Sequence, residues 1–110
     1  MVPLNRGLLT TASVPLASAL STADLLRVYR DFYAGEPFVH VTDGSPATKA
    51  TLGSNAAHLT VRYDDRTNTV LAIGALDNLV KGASGQALQN ANLVLGLPET
   101  TALSSIGLMP

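Results

Sequence analysis

The sequence predicts an α+β domain, with helices packed on a mostly antiparallel sheet in the order β-α-β-β-β-α. Three observations predict it. "HLTVRY" (58–63) alternates, with Leu59, Val61 and Tyr63 pointing one way and His58, Thr60 and Arg62 the other. Leu25, Val28, Tyr29, Phe32 and Tyr33 recur at helical spacing. "DNLVKGASGQALQNANLVLGLP" (77–98) opens on a polar cluster, continues as a helix and stops at Gly-Leu-Pro.

The elements follow in order. Residues 4–14 read as a strand, with Gly7 marking a bend and Pro15 ending it. The first helix is expected over Thr22–Ala34. Ser21 is its N-cap and Asp24 the acidic member of a capping box; Gly35 closes it and Pro37 prevents its return. "PFVHV" (37–41) is a short strand, followed by a loop carrying Gly44 and Pro46. A longer strand is expected over 48–63. "DDRTN" is a turn, and "TVLAIGAL" (69–76) returns as the hairpin partner. Apolar on both sides, that partner belongs in the middle of the sheet. The last helix is expected over Leu79–Leu95. Val80, Ala83, Ala87, Leu88, Ala91, Val94 and Leu95 form its apolar stripe, and Gly96 sits at C′. The tail reads as an extended return segment.

The 110 residues suit one domain or a piece of a larger protein. Apolar residues make up 46% and charged residues 14%, against about 25% charged in ordinary soluble domains. A small domain needs many polar residues to coat itself, so apolar surface is expected to meet a partner chain or another domain. With net charge −1 and scattered Lys and Arg, nucleic acid and membrane partners are not expected. No apolar run approaches the about 18 residues of a membrane span. Ala17-Ser18-Ala19 could pass as a leader cleavage site, but Thr10, Thr11, Ser13 and Pro15 interrupt the apolar stretch before it. The absence of cysteine removes disulfides, thiolate metal sites and a cysteine nucleophile together. No metal site is expected.

The polar cluster at the start of the last helix invites a functional reading. The first backbone N–H groups of a helix lack partners, and Asp77 can cap them. Gly82, Ala83, Ser84 and Gly85 leave room for a backbone or a flat ligand. Lys81 places a cation against the macrodipole. The plainer alternative is a capped helix packed closely on a sheet. The order is not that of a phosphate loop. His40 and His58 read as structural. Ser54, His58 and an Asp do not make a hydrolase triad, and Asp64 and Asp65 read as a solvated turn.

Resemblance adds to this. "DNLVKGASGQALQNANLVLGLPE" is similar to the C-terminal signature of the N-acetyl-γ-glutamyl-phosphate reductase family of arginine biosynthesis, in the semialdehyde dehydrogenase superfamily. "VPLNRGLLTT", "YRDFYAGEPFV", "GSNAAHLTV" and "IGALDNLVKG" resemble further segments of that family in the same order. The resemblance implies part of a glyceraldehyde-3-phosphate-dehydrogenase-like C-terminal domain. Residues 1–76 would be part of the catalytic and dimerisation domain, and 77–110 a helix and tail that pack on an NADP-binding domain.

The resemblance also implies an NADP-dependent, cytoplasmic oxidoreductase. It would reduce N-acetyl-γ-glutamyl phosphate to the semialdehyde and form a homo-oligomer through its sheet. The cysteine nucleophile, the catalytic histidine and the glycine-rich nucleotide loop of the family have no counterpart in these residues. No catalytic residue is therefore expected here, and the chain is expected to be inactive alone: a truncated gene, split subunit or partial reading frame. By resemblance, Asn78, Gly82 and Lys81 are the cofactor-binding candidates, and Arg6 the candidate for a substrate carboxylate or phosphate. For Arg6 a salt bridge within the sheet is the alternative, and for Lys81 a subunit contact. The competing function is a non-catalytic oligomerisation module derived from the enzyme.

Overall fold

The computed structural model describes residues 4–108. A four-stranded mixed sheet has the order β1-β4-β3-β2. Its strands are β1 (Leu8–Pro15), β2 (Val39–Val41), β3 (Ala57–Asp64) and β4 (Thr69–Leu76). β4 pairs antiparallel with both β1 and β3, and β2 pairs parallel with β3. The expected α+β class and the central place of 69–76 are thus found.

Helix α1 (Thr22–Phe32) crosses β3 and β2. Ser21 Oγ accepts the Asp24 N–H at 3.0 Å and donates to its carboxylate at 2.6 Å, the expected cap. Leu25, Leu26, Val61 and Val70 form the core. The expected apolar face is corrected in part: Leu26 is buried, whereas Val28 and Phe32 are exposed. α1 packs on β3 and β2, and the part of its apolar face turned away from them is left uncovered. The Asp64 carboxylate binds the Arg66 N–H and the Thr67 hydroxyl, which tightens the hairpin turn. Asn68 takes φ 50°, and its side chain binds the Leu16 carbonyl and the Tyr63 hydroxyl.

Three expectations change. Residues 48–56 are not strand: Thr48–Thr51 form a short helix, α2, and a turn through Gly53 leads into β3. The last helix does not begin as an α-helix. A π-helical turn, Val80–Ser84, precedes α3 (Gly85–Val94). The Gly82 N–H reaches the Asp77 carbonyl at 2.9 Å, five residues back, and Ser84 reaches Leu79 at 3.1 Å. The apolar stripe of that helix does not face the sheet. Gly85, Gln89 and Asn92 are buried, while Leu88, Val94 and Leu95 are exposed. Helical periodicity locates a stripe, but the side that packs is set by which partners lie across the seam.

The helix ends as expected. Gly96 has φ 69°, and the Leu97 N–H bonds the Asn92 carbonyl at 2.9 Å. The tail turns through 99–102 and returns along the 52–55 loop. There Ser104 accepts from the Asn55 N–H, and the Leu108 N–H donates to Leu52, each at 2.7 Å.

All eight residues of β1 are exposed. α1 does not reach over it, which leaves an apolar hollow of about 300 Å³ beside Tyr29 and Tyr33, floored by Leu8, Ala12, Ala72 and Leu76. Uncovered apolar surface of this extent fits the low charge content. Among the described residues no helix is long and apolar enough to cross a membrane.

Candidate functional site

The site is built where β4 ends and the π turn begins. Asp77 is fully buried. Its Oδ1 accepts the N–H groups of Leu79 at 2.8 Å and Val80 at 3.3 Å, the capping geometry expected from sequence. Its Oδ2 accepts the Gly53 N–H at 2.6 Å. Arg6 closes the set, with Nε on Oδ1 at 3.3 Å and Nη2 on Oδ2. One carboxylate thus joins the entry to β1, the loop before β3 and the helix start. Burial alone would raise its pKa. The Arg6 guanidinium and the three N–H groups outweigh that and hold it at about 2. The pair is a fixed, neutral unit.

Asn78 stands beside it, half-buried. Its Oδ1 accepts the Gly7 N–H at 2.6 Å. Gly7 has φ 94°, and a Cβ there would lie 2.5 Å from Thr48 Cβ, so only glycine fits this approach. Among the described residues the Asn78 Nδ2 donates to none. The acceptor half of the side chain is thus used within the fold, and its donor half is not. Gly82 is exposed on the π turn, and a Cβ there would touch Leu76 Cδ1 at 3.3 Å. Arg6, Asn78 and Gly82 thus belong to one junction. Arg6 is bound to Asp77, the salt-bridge alternative, and its side chain is 40% exposed.

Lys81 is directed elsewhere. Its Nζ donates to Gln89 Oε1 at 2.7 Å and lies 5.6 Å from the Phe38 ring centre. Burial lowers its pKa, while Glu99 and Glu36 act in the opposite sense. None of these contacts is shared with Arg6 or Asn78.

Gln89 heads a network that sequence reasoning missed. Its Oε1 also accepts Asn55 Nδ2 at 2.8 Å, and its amide donates to Glu99. Asn92 Nδ2 donates to the carbonyls of Glu99 and Thr101 at 3.1 and 3.0 Å. These bonds hold α3 and the tail on the β3 loop. A signal existed: Gly85, Gln89 and Asn92 recur at spacings of four and three, a polar stripe beside the apolar one.

The fold is a four-stranded mixed sheet with uncovered apolar surface, extended by a capped helix that locks the first strand's entry. The chain belongs to the semialdehyde dehydrogenase, dimerisation domain family, whose profile matches residues 1–78. The match ends at Asn78, two residues before the π turn. N-acetyl-gamma-glutamyl-phosphate reductases are similar over the whole chain. That of Thermus thermophilus is 57% identical over 110 residues, and that of Moorella thermoacetica 50% over 112. In each case all of this chain aligns with 32% of the relative. The chain spans about a third of the length of the relatives it matches.

Proposed function

We propose that this chain acts as the C-terminal part of a reductase that uses NADPH to convert N-acetyl-γ-glutamyl phosphate to N-acetyl-glutamate semialdehyde. The observation that carries the reading is the Asn78 side chain. Its oxygen is fixed by Gly7 and its NH2 group is left to donate beside an exposed glycine turn. A carboxamide carbonyl suits that donor, and Gly82 permits close approach. NADPH, when bound, supplies the hydride. The chain's own residues position: Asp77 and Arg6 set the junction, Gly7 orients Asn78, and Asn78 binds. The nucleophile and the nucleotide loop belong to other protein, since there is no cysteine here. Residues 77–110 expose Leu88, Val94 and Leu95, the surface we assign to contact with the cofactor domain.

The test joins residues 4–110 to the remaining two-thirds of the Thermus relative and measures phosphate-dependent NADP reduction with the semialdehyde. Turnover is expected from the joined protein and none from the chain alone. Asn78→Ala should raise the KM for NADP about 3–10-fold, the worth of one hydrogen bond. Gly82→Ala should do likewise while leaving thermal stability nearly unchanged. Robust turnover by the isolated chain, or an Asn78→Ala protein with unaltered NADP kinetics, would overturn the reading.

The alternative, an oligomerisation module, is favoured by the uncovered β1 and the family description. Light scattering after size exclusion is expected to show a discrete dimer. A dimer that ignores NADP even when joined to the missing portion would establish the module instead.

A further inference from the structure

The two histidines lie on the β2–β3 ladder, where His58 is the register partner of Ala75, two residues before Asp77, yet neither takes part in the hydrogen bonds of the junction just described. His40 and His58 are direct partners in the parallel β2–β3 ladder, so both project from the same side of the sheet. Their ring centres are 5.4 Å apart and the rings stand at 89°. Among the described residues neither imidazole makes a hydrogen bond, which leaves the ring nitrogens open. The rings border an open cavity of about 460 Å³ shared with Ala50, Ser105, Ile106 and Gly107.

We propose that His40 and His58 form a two-imidazole chelate for a borderline divalent transition-metal ion such as Zn2+, Ni2+ or Cu2+. The spacing carries the proposal. A zinc ion about 2.0–2.1 Å from one nitrogen of each ring lies about 3.2 Å from each ring centre; at a tetrahedral angle the centres are then about 5.2 Å apart. The observed 5.4 Å is close to this, and turning each ring about its Cβ–Cγ bond, which leaves the ring centre nearly in place, would aim a nitrogen of each ring at the ion. Imidazole suits these ions and not Mg2+ or Ca2+. The cavity leaves room for water to complete the coordination. Among the described residues no set of three or more His, Cys, Asp or Glu gathers for a metal, so the site has two protein ligands. The bound ion would pin the three-residue edge strand β2 to β3.

The chain contains no other histidine and no cysteine, which makes the test clean. Calorimetry on the untagged chain with ZnCl2 and NiCl2 is expected to show one ion per chain, and none with MgCl2. His40→Ala and His58→Ala should each weaken binding at least about tenfold, since loss of supporting groups alone costs that much. The double variant should abolish it. With Cu2+, electron paramagnetic resonance should show splitting from two nitrogens in the parent and from one in each single variant. Two ions per chain with independent single-variant effects, binding that survives in the double variant, or no heat at roughly millimolar Zn2+ would each overturn the chelate. The side chains are surface-facing, so circular dichroism should show the variants folded as the parent.

Discussion

Asp77→Ala should lower the stability of the chain by about 3–5 kcal/mol, the summed cost of leaving several buried donors without their acceptor. The reason is the number of groups that converge on it. The Gly53, Leu79 and Val80 N–H groups lose their acceptor, and Arg6 loses its counter-ion. Arg6→Ala should cost less, because its side chain is partly exposed and the N–H donors still hold the carboxylate. Urea unfolding of the three proteins checks this order. A loss below about 1 kcal/mol for Asp77→Ala would show that water replaces these bonds readily.

The same carboxylate sets an acid limit. Its pKa is about 2 in the folded chain against 3.8 for the ordinary group. A depressed value means that the folded state favours the charged form. The stabilisation is fully present above 3.8 and is lost as pH falls through about 2. It amounts to about 2–3 kcal/mol. In Asp77→Asn that part of the pH dependence should vanish, so the stability difference between parent and variant should narrow as pH falls across this window. A difference that stays constant would place the ion pair outside the folding equilibrium.

Gly85→Ala should destabilise the chain by about 2–3 kcal/mol, within the usual cost of overpacking. The sign is instructive. In a helix interior, alanine is favoured over glycine by about 1 kcal/mol. Here an added Cβ would lie 2.4 Å from Asn55 Oδ1 and 2.8 Å from the Val80 carbonyl oxygen. Neither can retreat. Asn55 is fully buried and held through Nδ2 by Gln89, and the Val80 oxygen accepts the Gly85 N–H in the π turn. The Asn55 Oδ1 has no hydrogen-bond partner; it packs against the glycine where a side chain would stand. Combining Gly85→Ala with Asn55→Ala should cost less than the sum of the two, with a coupling of at least about 1 kcal/mol. Thermal melts of the four proteins measure it. A stabilised Gly85→Ala chain would mean that the helix shifts freely on the sheet, contrary to the network seen.

Both predictions concern the junction that presents Asn78, so they separate folding from binding. Asp77→Ala and Gly85→Ala are read out as stability, whereas under the proposed function Asn78→Ala and Gly82→Ala are read out as NADP kinetics.

Much of this was legible in the residues. Ser21 and Asp24 announced a cap, the alternation at 58–63 a strand, Gly96 a helix end, and Asp77 a second cap. Each is a local effect, decided within four or five residues of backbone. The misreadings share a different cause. Thr48–Thr51 is a helix that leads into the Gly53 turn, whose N–H is held by Asp77, 24 residues on from Gly53. The apolar stripe of α3 was found, but not its direction. The polar stripe packs because Asn55 and Glu99 wait across the seam with matching donors and acceptors. Lys81, grouped with Asn78 by resemblance, has its ammonium on Gln89 and beside the Phe38 ring.

By itself the sequence determined the elements, their caps and the shortage of polar surface, because backbone preference and composition are properties of neighbouring residues. Only the tertiary structure decided which side of the last helix is buried, that Arg6 and Asp77 close on each other, and that two histidines 18 positions apart stand face to edge. These depend on donors, acceptors and charges that meet across long separations, where satisfying a buried polar group outweighs the local preference of any one segment.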